Sequence, residues 1–483
     1  MNNLVNTTEL NLNSFKDRLE LHAANNSVIL NMQNSCSQGE NSAFTWIEHT
    51  SRQILLMDEK FNAILEWNME AKNIACALDE ERKEKGPRSL LHGIPVLLKD
   101  NIDTGDNMHT SAGSLALADR IANKDSFVAM KLRQAGAILC GKTNMTEFAN
   151  FMTANMSNGY SSRGGQVRHA WKEGADPLGS STGSAVAVAR RYVPLAIGTE
   201  TCGSIISPAA SAGIVALKPT VGWVSRSGII PIAPSQDVAG PMARTVRDCA
   251  IAFSIMAGYD TEDPVTKLCL GHPIPGLEQC DMYSQGLKGV RLGIYSLDGE
   301  DMPVQFSAFH EAVSTLESLG AEIIPFKPPS NASRNMRTLF IHEFSPAIDK
   351  ALCLGRSKAR SLADIAAFNS AHVEECLKYG QSYIEEALAI KRPMETSEYM
   401  QSLQTKNEVL QELEQIFSKL SLDAVISLQG LIAFPVTGSP ALTLPIGIDE
   451  VEGLPVPIVL NGLPFSEGKL LAIGAALESA LSQ

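Results

Sequence analysis

Residues 176–220 contain two loops of small residues on either side of one short apolar segment, and this arrangement constrains the fold more than any other stretch. The first loop, GSSTGS (179–184), leads into AVAVAR, whose small side chains suit a closely packed helix. The apolar run PLAIGT (194–199) is bounded by turn residues and predicts a strand. The second loop, TCGS (201–204), follows that strand and precedes a helix-compatible segment. We therefore expect Ser204 at a strand-to-helix turn, where free backbone N–H groups favour a negative oxygen.

An upstream segment supplies a base for such a serine. The run HGIPVLLKDN (92–101) predicts a strand that ends at Lys99. Burial among apolar neighbours lowers the pKa of a lysine because it disfavours the charged form, and the neutral amine can then accept a proton. Serine paired with lysine is a known variant of the nucleophile and base pair. The residues therefore point to nucleophilic chemistry on an acyl group.

Five motifs make the chain resemble the amidase signature family, in the family's order and spacing. They are GIPVLLKDNIDT (93–104), GSSTGS (179–184), GTETCGSI (198–205), GIVALKPTVG (213–222) and GPMARTVRD (240–248). The likeness extends from about residue 50 to the C-terminus. It implies an α/β fold: one large α/β/α domain with a central mixed, twisted sheet covered by helices on both faces.

The resemblance also implies a role for each site residue. Ser204 corresponds to the nucleophile and Lys99 to the base, while Ser180, after a cis Gly179–Ser180 peptide bond, corresponds to the serine that bridges them. The remaining site residues supply the oxyanion hole and a backbone contact to substrate, and they are Thr201, Cys202, Gly203 and Ala149.

Two other residues are candidate nucleophiles beside Ser204. Cys202 stands where the family more usually has glycine or aspartate, and a thiolate is the stronger nucleophile. If its N–H lines the oxyanion hole, however, its side chain points away from the reacting carbon, so a small buried thiol is expected. Ser181 is the centre of a G-x-S-x-G pattern, but that pattern must directly follow a strand. Here it follows the polar, proline-broken HAWKEGADPLG.

Other polar residues near the motifs are expected to support the site. Lys142 and Lys218 compete with Lys99 as bases, and we assign them structural pairing with carboxylates or carbonyls. Three histidines, His92, His109 and His169, are interpreted as hydrogen-bonded structural residues. The segment VSRSGIIPIAPSQD is expected to brace the catalytic loops through Ser225, Arg226, Gln236 and Asp237.

The predicted function is hydrolysis of a carboxylic amide through a seryl acyl-enzyme, without a cofactor. Ile206 and Ser207 stand where family members that take free carboxylates often have an arginine, so we expect a neutral or apolar amide, small or peptidic. A preference for acids would instead implicate Arg163, Arg168 or Arg226. Two alternatives stay open: a biosynthetic acyltransferase that passes the acyl group to an amine or alcohol, and the glutaminase subunit of an amidotransferase complex.

Composition and charge limit the kinds of molecule that the protein is expected to bind. The formal net charge is −13 and the pI is near 5.3, which disfavours nucleic acid. The nine cysteines are scattered, which is typical of free thiols in a reducing compartment, and no CxxC or HExxH motif indicates a metal. The N-terminus lacks the features of a signal peptide, and no apolar window approaches about 18 residues. We expect a cytoplasmic protein without a membrane span, for which a homodimer is a possible assembly.

The chain as a whole is predicted as one domain over residues 1–483. Within it we expect an N-terminal helical wrap (1–75), a signature core (85–255) and a helical cap (330–420). Ile64 and Leu65 fit helical spacing, so we assign them to a helix. A helix from about 126 to 135 is expected to begin at an Asp125 cap. Another amphipathic helix is predicted from Phe306 to Leu319.

Overall fold

A sheet of eleven strands organises the computed structural model, which describes residues 27–295, 307–334 and 336–482. Two short two-stranded pairs accompany it. The strands are β1 (Ile64–Trp67), β2 (Pro95–Lys99), β3 (Ile121–Ala122), β4 (Ile138–Thr143), β5 (Tyr160–Ser161), β6 (Gly165–Gln166), β7 (Leu195–Glu200), β8 (Val215–Lys218), β9 (Val238–Ala243), β10 (Arg291–Tyr295), β11 (Glu322–Phe326), β12 (Gly355–Arg356), β13 (Ala424–Ser427), β14 (Ala441–Ile448) and β15 (Pro455–Asn461).

The order of the large sheet is β1-β4-β2-β7-β9-β8-β14-β15-β13-β10-β11. Near one end β4, β2 and β7 are parallel, and at the other end β13, β10 and β11 are parallel. The strands from β7 through β13 pair antiparallel, and so does β1 with β4. The mixed sheet predicted from the sequence is therefore confirmed. In β2, β4 and β7, parallel pairing brings strand ends and the loops that follow them to one edge.

Helices cover both faces of this sheet, and others pack over the loops at its edge. They are α1 (Val28–Ser37), α2 (Ala43–Phe61), α3 (Ala71–Lys85), α4 (Phe127–Gln134), α5 (Thr182–Ala189), α6 (Ile206–Ala212), α7 (Val246–Met256), α8 (Ser307–Ser318), α9 (Met336–Leu352), α10 (Leu362–Ala371), α11 (Val373–Cys376), α12 (Ser382–Ala389), α13 (Ser397–Leu420), α14 (Ala433–Thr437) and α15 (Glu467–Leu481). Short 3₁₀ turns lie at Leu115–Leu117, Glu147–Asn150, Pro264–Cys269, Leu277–Asp281 and Pro393–Glu395. Among the described residues, no helix is both long and apolar enough to cross a membrane.

Side chains along β2 point alternately to the two faces of the sheet, and each face packs against its own layer of helices. Val96 and Leu98 enter the apolar cluster that also holds α4, α7, α8 and α15, while Leu97 enters the cluster built on α2, α3, α5 and α6. Successive side chains of a strand point to opposite faces, and a strand covered on both faces reads as a continuous apolar run. This is why PVLLK is buried at every position.

Two predicted details near the N-terminal half are wrong. Ile64 and Leu65 lie in β1, an edge strand, because the helix before them ends at Phe61 and Asn62 adopts the left-handed conformation. The wrap is therefore not purely helical within the described part of residues 1–75, and residues 1–26 lie outside the described residues. Helix α4 begins at a Ser126 cap, whose hydroxyl accepts from the Ala129 N–H, whereas Asp125 accepts from the Gly105 N–H instead.

Helices from the 330–420 region pack over the loops at the edge of β2 and β7. An apolar cluster joins α9, α10, α12 and α13 to Phe148 and Phe151, and the Phe151 and Phe344 ring centroids are 5.1 Å apart. The partly buried side chains of Ala149 and Cys202 contact the same cluster. Its role as a cap over a substrate channel stays a prediction. Of the amphipathic helix predicted from Phe306, the described part runs from Ser307 to Ser318, and Phe306 lies outside it.

Candidate active site

Lys99 ends strand β2 inside the protein. Its side chain is fully buried, because β2 lies between β4 and β7 and is covered on both faces. The Lys99 Nζ donates to the Ser180 Oγ at 2.8 Å and to the Thr199 carbonyl at 3.1 Å. Two residues far apart in sequence, the predicted base and the predicted bridging serine, are thus in direct contact.

Burial lowers the pKa of Lys99 from its ordinary 10.5 to about 7. The negative charges of Asp237 and Glu200 act in the other direction, because they favour the charged amine. At neutral pH a substantial fraction of this amine is therefore unprotonated, with a lone pair available next to the Ser180 hydroxyl.

The first small-residue loop places Ser180 through its backbone. The Gly179–Ser180 peptide bond is cis, as the resemblance implies, and Ser180 is fully buried. The Ser180 carbonyl accepts from the Thr146 N–H at 3.1 Å. Next to it, the Ser181 hydroxyl donates to the Thr199 carbonyl and accepts from the Thr199 N–H at 3.1 and 3.2 Å. Ser181 therefore ties this loop to strand β7, which accounts for its hydroxyl without a nucleophile's role.

The second loop carries Ser204, which is 7% exposed, into helix α6. Gly203 makes the turn with φ of +88°, a conformation that residues with a Cβ rarely adopt. The Ser204 carbonyl accepts from the Ser181 N–H at 3.1 Å, so the two loops are joined directly. Among the residues that the structure describes, no hydrogen bond links the two hydroxyls of Ser180 and Ser204, and such contacts often tighten only when substrate is bound.

A carboxylate fixes the start of α6. The Glu200 Oε2 accepts from the Ile205 and Ile206 N–H groups at 2.8 and 3.0 Å. These are two of the free N–H groups that begin a helix, and an anion is favoured there. Sequence reasoning missed Glu200; the usable signal was an acid at the end of the PLAIGTE strand, four residues before Ser204.

Cys202 and Ala149 lie where the site loops meet the helices packed above them. The Cys202 side chain is partly buried against that apolar cluster, and burial raises the pKa of its thiol to about 12. The thiol is therefore protonated at neutral pH and is a weak nucleophile. Ala149 belongs to a run of three left-handed residues with Phe148 and Asn150, at φ of 55°, 45° and 73° respectively. This run turns the loop after β4 towards the cluster.

These contacts bring Lys99 to Ser180 and join the loop of Ser180 to the loop of Ser204, while the roles of the three residues stay predictions. A family model described as Amidase matches residues 45–429. The chain belongs to the amidase signature family. Among its relatives, a probable amidase from Arabidopsis thaliana is 35% identical over 434 residues, which cover 87% of this chain and 83% of that protein.

The chain is also similar to a solved peptide amidase structure and to an amidotransferase subunit. The native peptide amidase from Stenotrophomonas maltophilia superimposes with a TM-score of 0.87 at 37% identity, covering 94% of this chain and 96% of that one. A glutamyl-tRNA(Gln) amidotransferase subunit from Acidothermus cellulolyticus is 32% identical over 473 residues, which cover 89% of each chain. The chain is accordingly an amidase, an enzyme that acts on amides.

Lys142 and Lys218, two further buried lysines of this amidase, make their described hydrogen bonds outside the two serine loops. The Lys142 Nζ donates to the Ile102 carbonyl and, at 2.8 Å, to the Thr110 hydroxyl. The Lys218 Nζ donates to the Pro219 and Ser439 carbonyls at 3.0 and 2.8 Å. Both side chains therefore donate to backbone carbonyls, which is one of the structural pairings predicted for them.

The three histidines near the motifs also bind elsewhere in the amidase. The His92 ring bonds the Leu78 carbonyl at 2.9 Å and accepts from a backbone N–H through its other nitrogen. His109 pairs with Glu66, and His169 accepts from the N–H groups of Trp171 and Lys172. Among the described residues, no cluster of histidine, cysteine and carboxylate side chains could hold a metal ion.

Bracing residues surround the Thr201 end of the second loop. The Thr201 hydroxyl donates to Asp237, and the Gln236 amide donates to the Thr201 carbonyl at 3.2 Å. Ser225 donates to Asp260 at 2.6 Å, and Arg226 pairs with Asp263 at 2.6 Å. Asp237 and Gln236 thus brace the loop directly, while Ser225 and Arg226 stabilise the segment that carries them.

Proposed function

We propose that this amidase hydrolyses a carboxamide through an acyl-enzyme on Ser204, with Ser180 and Lys99 as its proton relay. The observation that carries the proposal is the 2.8 Å contact between the Ser180 Oγ and the amine of a fully buried lysine. A lysine in that setting is a base, because burial disfavours its charge and lowers its pKa to about 7.

The chemical steps follow from the order of these groups. Neutral Lys99 accepts the Ser180 proton, Ser180 accepts the Ser204 proton, and the Ser204 oxygen attacks the amide carbonyl. The tetrahedral intermediate collapses when the C–N bond breaks, and the relay returns a proton to the leaving amine. The same relay then takes a proton from a water molecule, which attacks the ester. The ester bond breaks, and the relay returns the proton to Ser204.

The oxyanion of that intermediate needs preorganised donors. We assign this role to the N–H groups of the Thr201–Ser204 turn, which Gly203 shapes and Thr201 anchors. Cys202 contributes its backbone in this scheme. Its protonated thiol, packed against the apolar cluster, takes no part.

A neutral, mainly apolar amide fits the surroundings best. Ser207 offers a single neutral hydroxyl one residue into α6, where a carboxylate would need charge-assisted partners. Three arginines were candidates to bind a substrate carboxylate, and each has another partner. Arg163 pairs with Glu66 and Asp100, Arg226 pairs with Asp263, and Arg168 donates to the Lys60 carbonyl. The likeness to a peptide amidase supports a C-terminally amidated peptide as the substrate class.

The test compares two amide substrates. One is a neutral N-acylated phenylalanine amide, and the other is an N-acylated amino acid with a free α-carboxylate and a carboxamide in its side chain. Ammonia release is measured for the wild type, for Ser204→Ala and for the matched control Ser211→Ala, a serine of helix α6 whose hydroxyl donates to the Asp176 carbonyl. We expect a loss of at least about 10⁴-fold in Ser204→Ala and near-normal turnover in the control.

Intact-mass analysis of quenched reactions identifies the nucleophile. An acyl adduct that maps to Ser204 and persists in Cys202→Gly supports the proposal. Near-normal turnover in Ser204→Ala, or an adduct that disappears with Cys202, contradicts it. A clear preference for the acidic amide would contradict the substrate class while leaving the mechanism intact.

The amidotransferase relatives favour one second candidate, a glutaminase subunit that works inside a complex. Glutamine carries a free carboxylate, so the absence of a cation at Ile206 and Ser207 argues against it. Turnover by the isolated chain excludes an obligate subunit. Product analysis with a competing amine separates hydrolysis from transfer to an acceptor.

A further inference from the structure

Asp237 is a buried carboxylate that lies beside the candidate oxyanion turn. It immediately precedes strand β9, and the pairing of Glu200 with Val238 puts it opposite Thr201, one step beyond the end of the ladder. Its Oδ1 accepts from the Thr201 hydroxyl, and its Oδ2 accepts from the Ile232 and Ala233 N–H groups at 2.9 and 3.0 Å. Three donors thus hold one carboxylate at the first residue of the turn.

Thr201 is held from its backbone as well. The neighbouring Gln236 amide donates to the Thr201 carbonyl at 3.2 Å. The turn that ends in Ser204 is therefore fixed at its first residue by two consecutive side chains that precede strand β9, and at its last by the Ser181 N–H bond to the Ser204 carbonyl. Donors that must meet a developing negative oxygen require this kind of support, since small displacements are costly.

We infer that Asp237 is a positioning residue for amide hydrolysis, which fixes the Thr201–Ser204 turn and places a negative charge near the Lys99 amine. The inference rests on the proposed function. It assigns to one side chain two separable effects, a hydrogen bond that shapes the turn and a charge that acts on the base.

The charges around these groups set the sign of the second effect. The negative charges of Asp237 and Glu200 both favour the ammonium form of Lys99. Asp237 is faced in turn by Arg226, and burial raises the pKa of its carboxyl to about 6. Above that pH the carboxylate is charged, so it stabilises the ammonium that forms when Ser204 attacks and makes Lys99 a stronger base.

Asp237→Asn tests the charge while keeping the shape. The asparagine oxygen can still accept from the two backbone N–H groups, and its NH₂ group meets the Thr201 hydroxyl. With the N-acylated phenylalanine amide as probe, we expect the acid limb of kcat/KM to move to lower pH by about one unit. We expect the plateau kcat to fall about tenfold because the ammonium is less stabilised, with KM little changed.

Substitutions of Thr201 test the hydrogen bond without changing charge. Thr201→Val removes the donor and should lower kcat while leaving the acid limb in place, and Thr201→Ser should restore kcat to within about threefold because it restores the hydroxyl. A labelling assay with a fluorophosphonate, which reports Ser204 activation without amide turnover, should show the same shift in pH dependence for Asp237→Asn.

The outcomes separate this inference from the proposed function. If Ser204 neither forms an adduct nor reacts with the fluorophosphonate, the proposed function fails. If the wild type behaves as proposed but Asp237→Asn loses activity equally at all pH values, Asp237 is only structural and the inference is overturned. An unchanged pH limb with unchanged kcat overturns it as well.

Discussion

Lys99 and Lys142 lie at the ends of two neighbouring parallel strands, and their surroundings differ in one decisive respect. Both are fully buried, and burial lowers the pKa of both. The Lys142 amine meets a carbonyl and the Thr110 hydroxyl, with four carboxylates near enough to favour its charge. The Lys99 amine meets the Thr199 carbonyl and the hydroxyl of Ser180, whose loop is hydrogen-bonded to the Ser204 loop.

The difference teaches that burial alone does not make a lysine a base. Each amine donates to one carbonyl and one hydroxyl, so the kinds of group that it contacts do not separate the two lysines. The Ser180 hydroxyl belongs to a loop that is hydrogen-bonded to the Ser204 loop, so a proton exchanged with it can be passed on, whereas four carboxylates favour the charged form of Lys142. The loop that carries the hydroxyl and the surrounding charge, rather than the depth of burial, separate the two roles.

Replacing each lysine by methionine should give the largest difference in activity between the two positions. Lys99→Met should lower kcat/KM on the order of 10³- to 10⁴-fold, because it removes the proposed base while keeping the side-chain volume. Lys142→Met should keep activity per folded molecule within about threefold, since it touches no serine. Ammonia release, normalised to folded protein by circular dichroism, gives both values. Equal losses in the two variants would remove the distinction.

The pH dependence sharpens the comparison at the next level of magnitude. In the proposed mechanism the Lys99 amine must be neutral, so kcat/KM should rise with pH through about 7, the pKa to which burial lowers Lys99. The same limb should persist in Lys142→Met and in His92→Gln, because neither residue contacts the relay. A limb that moved with His92 would indicate imidazole chemistry and count against Lys99.

The smallest expected effect is on stability, and its sign differs between the two lysines. Between about 7 and 10.5, folded Lys99 binds fewer protons than the unfolded chain, so wild-type stability rises with pH across that window. Lys99→Met removes this penalty and should be more stable than wild type, most clearly at pH 7 and below and least near pH 10.

Lys142→Met should instead lower the free energy of unfolding by about 1–3 kcal/mol. Four carboxylates around Lys142, against two around Lys99, lose a neighbouring positive charge and buried acceptors lose their donor, which together outweigh the relief of the burial penalty. Urea unfolding at pH 7 and pH 10 measures both variants against wild type. A gain for Lys99→Met that grew with pH would mean that the folded pKa lies above its unfolded value, the reverse of the burial argument.

Local pattern predicted much of the scaffold of the site. Runs such as PVLLK and PLAIGT have few alternatives to a buried strand, and they form β2 and β7. The cis bond, the roles of Lys99 and Ser180, and the expected contact between them came from the family resemblance. Their spacing of 81 residues alone does not encode a contact.

What the sequence did not predict depends on distant partners. Ile64 and Leu65 fit a helix by spacing, yet pairing with β4 draws them into a strand. The left-handed run at Phe148 to Asn150 has no glycine to announce it, and tertiary packing against Phe344 stabilises it. Asp237 was predicted only to brace, because its position opposite Thr201 follows from strand register rather than from local sequence.

The antiparallel middle of the sheet has a consequence for synthesis on the ribosome. Strands β14 and β15 lie between β8 and β13, so residues 441–461 join the half of the sheet that carries Lys99 to the half that carries β10 and β11. A nascent chain acquires Lys99, Ser180 and Ser204 long before these strands emerge. Until then β8 has an unpaired edge and the sheet is open on that side. We therefore expect amide cleavage only from chains whose translation has passed residue 461.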